Sequence, residues 1–66
     1  MSKIIDEFCV NNYRILILNE PLPLRLFHRA VIDGEEKDIT IVYDLKNSFA
    51  VQDDGNALVG KEVDFV

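Results

Sequence analysis

Residues 22–44, LPLRLFHRAVIDGEEKDITIVYD, contain the pattern that decides the fold: two largely apolar runs on either side of Asp33-Gly34. An Asp-Gly pair in this setting is typical of a two-residue hairpin turn, because both central residues of a type I′ turn need a positive φ. We therefore predict one long β-hairpin that bends at Asp33-Gly34. A four-residue loop over residues 33–36 would keep the same faces and change only the pairing partners.

A two-residue turn determines which residues face each other across the hairpin. One face is predicted to be largely apolar, with the pairs Leu24–Tyr43, Leu26–Ile41 and His28–Ile39. The other face is predicted to be mixed, with the pairs Arg25–Val42, Phe27–Thr40 and Arg29–Asp38. Side chains alternate along a strand, so a shift by one residue would move the apolar set into water. The pattern therefore favours this register.

Shorter segments around the hairpin are predicted to be further strands. Tyr13–Leu18 (YRILIL) is apolar on both faces after Arg14, which is typical of a strand that is covered on both sides or crosses between two sheets. Ser48–Gln52 (SFAVQ) and residues 61–66 (KEVDFV) are predicted to be strands with alternating inner and outer side chains. Their inward side chains are predicted to be Phe49, Val51, Val63 and Phe65.

Residues 1–10 permit two interpretations. As a strand, the segment alternates Phe8 and Val10 with other residues and ends at Asn11-Asn12, because asparagine tolerates the positive φ of a tight turn. As a helix, it would begin at Ser2 and carry its apolar residues on one face. We favour the strand, since the next apolar segment needs an antiparallel partner.

Five or six short strands predict a single all-β domain over residues 1–66, a small antiparallel barrel or a rolled sheet, with a short N-terminal helix as the alternative for its first segment. Closure would remove exposed strand edges. In strand number and length the chain resembles SH3-like and OB-like small barrels, and the resemblance extends to no motif. The predicted core consists of Phe8, Ile15, Ile17, Leu24, Leu26, Ile32, Ile39, Ile41, Tyr43, Phe49, Val51, Val63 and Phe65.

The composition favours a folded, cytoplasmic protein. Hydrophobic residues make up 48% of the chain, which is more than a disordered chain contains. The single cysteine, Cys9, can form no internal disulfide, and no secretory signal is apparent, so we expect a reducing compartment. The longest uncharged apolar run, ILIL at residues 15–18, is far too short to cross a membrane, and we expect no membrane association.

The net charge of −5 is distributed unevenly along the chain. Residues 1–32 carry four basic and three acidic side chains, whereas residues 33–66 carry three basic and nine acidic ones. An acidic chain repels the phosphate backbone, so nucleic-acid binding is disfavoured although a local basic patch could permit it. The acidic hairpin tip, which includes Glu35 and Glu36, could attract a basic partner or act as a decoy for a nucleic-acid-binding protein. The alternative is a solvated face that aids solubility.

Three residues of the predicted hairpin, Arg25, Phe27 and Arg29, form a candidate binding face. An aromatic ring between two arginines could stack on single-stranded nucleic acid. It could also anchor a protein partner, because aromatic and arginine residues are enriched at the centres of interfaces. In the simplest interpretation, the arginine stems cover Phe27 and Arg29 pairs with Asp38.

The residues that carry catalysis or bind metals are too few to predict an enzyme. His28 is the only histidine and Cys9 the only thiol, and no spacing brings them together, while a zinc site needs three or four ligands. Residues 53–56 (DDGN) are rich in oxygen ligands but lack the alternating acidic positions of a calcium-binding EF-hand loop. We therefore expect neither a cofactor nor a metal ion.

These observations together predict a non-enzymatic β domain that acts as a protein–protein interaction module. Its partner would be another protein or a second copy of the same chain. A nucleic-acid-binding small barrel that uses the Arg25, Phe27 and Arg29 face is one alternative. An acidic decoy or inhibitor of a nucleic-acid-binding protein is the other.

Overall fold

A computed structural model of the chain describes residues 2–23, 27, 29–42 and 46–66. These residues form one seven-stranded antiparallel sheet and no helix, which confirms the all-β class with more strands than the predicted five or six. The strands are β1 (Ser2–Val10), β2 (Tyr13–Leu18), β3 (Arg29–Ile32), β4 (Glu35–Asp38), β5 (Thr40–Ile41), β6 (Ser48–Gln52) and β7 (Glu62–Phe65). Their order across the sheet is β4-β3-β7-β1-β2-β6-β5.

The first segment is a strand, and the alternative of an N-terminal helix is wrong. β1 pairs with β2 through the turn at Asn11 and Asn12, and Asn11 has a φ of 55°. Asparagine accepts this left-handed conformation at a lower cost than most residues. No helix in the described part of the chain is long and apolar enough to cross a membrane.

The hairpin at Asp33-Gly34 forms in the predicted register. Both turn residues have a positive φ, 53° for Asp33 and 82° for Gly34, as a type I′ turn requires. β3 and β4 pair from Ile32 with Glu35 down to Arg29 with Asp38. The four-residue loop is therefore not formed.

The hairpin is shorter than predicted. After Ile39, β5 pairs with β6, so that Thr40 lies opposite Ala50. Phe27 lies outside every strand, and the predicted pair of Phe27 with Thr40 is wrong. The physical reason is packing, because the ring of Phe27 contacts the core ring of Phe65 at a centroid distance of 4.8 Å. The other predicted pairs involve Leu24, Arg25, Leu26, His28 and Tyr43, which lie outside the described residues.

The two ends of the sheet are close together along the chain. β4 and β5 are the outermost strands in the sheet order, yet only Ile39 separates them in sequence. On β4, the Lys37 ammonium group lies 3.3 Å from the carboxylate of Asp54, which follows β6. The described strands do not close into a barrel.

Most of the core lies on the inner face of the sheet. Six predicted core residues are buried, and they are Ile15, Ile32, Phe49, Val51, Val63 and Phe65. Phe8 and Ile41 are exposed, so their assignment to the core is wrong, while Ile17 and Ile39 are partly buried. Leu24, Leu26 and Tyr43 lie outside the described residues.

The prediction omitted several residues that are buried in the core. These are Ile4, Leu16, Leu18, Ala30, Ala50 and Leu58. Ile4, Leu16 and Leu18 are on one face because β1 and β2 pair Ile4 with Leu18. In β7 the predicted alternation is confirmed, with Val63 and Phe65 buried and the two acidic residues exposed.

Replacement of Leu16 by alanine is expected to destabilise the protein strongly. Leu16 is fully buried, and the loss of a buried leucine side chain costs about 2–5 kcal/mol. A chain of this length has a free energy of unfolding of only about 3–10 kcal/mol. Urea denaturation measures the change. The control Ile5→Ala, at an exposed position, should change the stability by less than about 0.5 kcal/mol. Equal effects of the two substitutions would contradict the assigned faces of β1 and β2.

Candidate functional site

An ion-paired cluster centred on Arg14 connects β1, β2 and the loop after β6. The Arg14 guanidinium contacts Glu7 of β1, with Nη1 2.9 Å from Oε2. It also contacts Asp53, with Nη2 2.9 Å and Nε 3.2 Å from Oδ1. One arginine fork therefore ties three segments of the chain together, a geometry that lysine could not reproduce.

Backbone groups of the loop complete this cluster. The amide of Leu58 donates to the Glu7 carboxylate at 3.1 and 3.3 Å. The amide of Gly55 donates to Asp53 Oδ1 at 2.9 Å, and the Cys9 thiol lies 3.7 Å from Asp53 Oδ2. Both carboxylates are thus saturated with donors, which is what permits charged groups to lie away from water.

Arg14 and Asp53 are held in their ionised forms. The side chains of Arg14 and Glu7 are only 12% and 13% exposed. The hydrogen bonds from Arg14 to Glu7 and Asp53 raise the pKa of the guanidinium still further above its ordinary value. The backbone amide of Gly55, together with Arg14, lowers the pKa of Asp53 below 3.8. Arg14 is therefore fully engaged by its own chain, and its role is to hold β1 in place.

A β-bulge at Ile5 decides which way the second half of β1 faces. Ile4 lies opposite Leu18, whereas Asp6 lies opposite Ile17, so Ile5 is an extra residue in β1. Without the bulge, Ile4 and Phe8 would share the core face by simple alternation. The extra residue reverses the faces, and Glu7 points to the core side instead of Phe8.

The bulge thereby places apolar side chains on the outer face of the sheet. Phe8 and Val10 lie opposite Ile15 and Tyr13 of β2. Phe8, Val10 and Tyr13 are 45%, 46% and 47% exposed, while Ile15 is buried between Phe8 and Ala50. We call Phe8, Val10, Tyr13 and Ile15 the outer apolar face. Because Tyr13 and Ile15 belong to this outer face, β2 is apolar on both of its faces.

The second half of β1 has a strand on one side only among the described residues. β7 pairs with β1 at Ser2 and Lys3, and the last contacts are Ile4 N to Lys61 O at 3.0 Å and Gly60 N to Ile4 O at 2.8 Å. Beyond Ile4, the loop contacts β1 through the side chains of Glu7 and Cys9. We call the β7 side of residues 6–10 the open edge of β1.

The predicted Arg25, Phe27 and Arg29 face takes a different form from the one expected. Arg25 lies outside the described residues, and Phe27 is half-buried against the core. Arg29 is exposed at the end of β3, and its Nε lies 3.1 Å from Asp38 Oδ1, as the simplest interpretation predicts. Whether these three residues bind a partner stays a prediction.

The acidic tip of the hairpin is part of a second exposed surface. Glu35 and Glu36 are both exposed on β4, at one end of the strand order. Glu36 lies opposite Val31, and Val31 lies opposite Asp64, so carboxylates flank Val31 on the outer side of the sheet. A role of this surface as an acidic decoy stays a prediction.

The oxygen-rich loop over residues 53–56 uses its carboxylates internally. The amide of Gly55 donates to Asp53, and the amide of Asn56 donates to Asp54, which are two consecutive side-chain turns. The first carboxylate also binds Arg14, and the second binds Lys37. Within residues 2–23, 27, 29–42 and 46–66, no three His, Cys, Asp or Glu side chains are grouped to hold a metal ion. His28 lies outside those ranges.

Comparison of the chain with models of known protein families, with curated proteins and with solved structures finds no match.

Replacement of Arg14 by methionine is expected to lower the melting temperature more than replacement of Arg29. Without Arg14, the Glu7 and Asp53 carboxylates lose their shared cation while remaining close to each other and partly shielded from water. The pair of Arg29 and Asp38 is 53% and 89% exposed, and such surface pairs contribute little. Circular dichroism melts of Arg14→Met and Arg29→Met make the comparison. Adding Glu7→Gln to Arg14→Met should restore part of the loss, and equal melting temperatures of the single variants would contradict the cluster's role.

The stability of the protein is expected to fall in acid partly through Asp53. Its folded-state pKa lies below 3.8, so the unfolded chain binds a proton more readily than the folded one. The contribution of Asp53 is complete above about pH 5 and is lost as the pH falls through 3.8 toward the folded value. Urea titrations at several pH values should show a flatter acid limb for Asp53→Asn than for the control Asp64→Asn. Identical acid limbs would refute the assignment.

Proposed function

We propose that this protein is a non-enzymatic protein–protein interaction module that binds its partner through the outer apolar face. The observation that carries the proposal is the exposure of Phe8, Val10 and Tyr13 next to one another on β1 and β2. Scattered apolar residues on a surface are ordinary, but adjacent aromatic and aliphatic side chains are typical of interaction sites.

The charge pattern around this face also supports a protein partner. Residues 8–13 (FCVNNY) contain no charged side chain, although the chain has seven basic and twelve acidic residues. The centres of protein interfaces are likewise depleted of charge and enriched in aromatic residues. The outer apolar face is therefore the part of the described surface that another protein would desolvate at the lowest electrostatic cost.

The Arg14 cluster prepares the face for binding. It fixes β1 against β2 through Glu7, the residue that immediately precedes Phe8. Because Phe8 and Tyr13 are already held on a paired strand, little conformational entropy remains to be lost when a partner binds. The ion-paired cluster thus acts as a support beneath the face.

The basic side chains give less support to nucleic-acid binding. Four of them already have carboxylate partners within the chain, namely Arg14, Arg29, Lys37 and Lys61. A basic side chain that is already paired with a carboxylate displaces few counterions from a phosphate backbone, so it contributes little to the affinity for nucleic acid.

Two further features belong to the proposal. Because only Ile39 separates the two outermost strands, we propose that the sheet is rolled, as in a partly open small barrel. The lone thiol of Cys9, exposed and unpaired with another cysteine, favours a reducing compartment, and we propose a cytoplasmic location.

Substitution of Phe8 or Tyr13 by serine is expected to weaken partner binding strongly without unfolding the protein. Each is almost half-exposed, so the fold should persist, whereas loss of a central aromatic anchor weakens binding by about thirtyfold or more. Affinity capture from lysate of the host, followed by mass spectrometry, identifies the partner, and calorimetry with the purified partner gives the Kd.

The matched control is Val59→Ser, at an apolar residue of similar exposure (50%) in the turn before β7. It should bind the partner as the wild type does. If Phe8→Ser and Tyr13→Ser also retain full affinity for every captured protein, the outer apolar face is not the binding site.

A further inference from the structure

We propose that the protein partner is a second copy of this chain, which adds its own β1 antiparallel to the open edge of β1, beside the outer apolar face. The two sheets would then continue into one another across a two-fold axis at Phe8. This inference rests on the proposed function, since it names the partner of the interaction module and brings the Phe8 side chains of the two outer apolar faces together.

The backbone of the open edge is available for strand addition. Around the two-residue turn, Val10 and Tyr13 form a hydrogen-bonded pair, so Phe8 and Val10 direct their amide and carbonyl groups to β2. By alternation, the backbone groups of Glu7 and Cys9 point to the open edge. The Glu7 amide accordingly takes a local partner, the Asp6 carboxylate, at 2.8 Å. The Glu7 amide can readily exchange this hydrogen bond to an exposed neighbouring carboxylate for a hydrogen bond to an incoming strand.

A second β1 satisfies these groups when Phe8 lies opposite Phe8 of the other copy. In that register, Glu7 of each copy lies opposite Cys9 of the other, and the two residues exchange both of their backbone hydrogen bonds. Each Phe8 belongs to a pair that is not hydrogen-bonded, where side chains approach most closely. The two Phe8 rings therefore meet on the outer face, and Val10 lies opposite Asp6.

The charges of the sheet edges favour β1 over β4 for self-association. β4, at one end of the sheet order, consists of four charged residues, a composition that protects an edge strand from pairing. Along the open edge of β1, the charge of Glu7 is directed inward to Arg14. Residues 8–13 carry no charge. Within residues 6–10, which pair in this register, Asp6 is therefore the one residue that presents a charge to the other copy, opposite the apolar Val10.

Antiparallel pairing also makes the face self-complementary. A two-fold axis perpendicular to the sheet keeps every outer side chain on the outer side, so the apolar faces of both copies join into one. An unrelated strand would need the same alternation of apolar side chains to fit. The chain itself supplies such a strand.

Disulfide formation tests the predicted register. In a Cys9→Ser background, Phe8→Cys places two thiols directly opposite each other, and mild oxidation should produce a covalent dimer. Val10→Cys in the same background places each thiol two residues from the two-fold axis, so that the two thiols are four residues apart along the paired strands and too far from each other to join. Dimers from Val10→Cys but not from Phe8→Cys would overturn the proposed register.

Sedimentation equilibrium of the wild type and of Cys9→Pro tests the edge itself. Proline at position 9 removes an amide that points to the open edge and leaves the pairing with β2 intact. Dimerisation should weaken by about tenfold or more because each copy loses an intermolecular hydrogen bond. Circular dichroism is used to check that Cys9→Pro is folded, and Cys9→Ser, which keeps the amide, should dimerise as the wild type does.

The outcomes separate this inference from the proposed function. A wild-type protein that stays monomeric at millimolar concentration overturns the second copy as the partner. If such a monomer still binds another protein in a Phe8-dependent manner, the interaction module stands and only its occupant is wrong. A dimer that forms equally well with Cys9→Ser and Cys9→Pro excludes strand addition at β1.

Discussion

The contact of Arg14 with Glu7 and Asp53 is the interaction on which the rest of the structure depends. It is the point where β1, β2 and the loop after β6 meet, and each carboxylate is also bound by a backbone amide of that loop. Because Glu7 is held on the core side, Phe8 must point outward. An ion pair on the inner face thus causes an apolar surface on the outer face.

The bulge at Ile5 provides the strand geometry that this ion pair requires. It lets β1 contribute Ile4 to the core and then Glu7 to Arg14 on the same side of the sheet. A regular strand would have brought Phe8 inward and left Glu7 in solvent. The protein forgoes the burial of one phenylalanine there, and it gains an anchored strand whose outer side chains, Phe8 and Val10, are exposed.

Phe8 and Phe27 exchange the roles that their local sequences predict. Phe27, between basic residues, was expected on a surface, and it packs against Phe65. Phe8, in an apolar segment, was expected in the core, and it is 45% exposed. Local alternation cannot foresee either result, since one depends on a bulge and the other on a contact between residues 38 positions apart. The candidate site is therefore visible in the structure and not in the pattern of residues.

The sequence by itself determined the all-β class, the hairpin at Asp33-Gly34, and the strands that begin at Tyr13 and Ser48. These features depend on local rules: turn residues that accept a positive φ, and apolar residues at a spacing of two. The tertiary structure alone decided that β5 pairs with β6, that β1 bulges at Ile5, and that Arg14 binds two carboxylates distant in sequence. Such contacts form between segments with no fixed separation along the chain, so only the folded arrangement selects them.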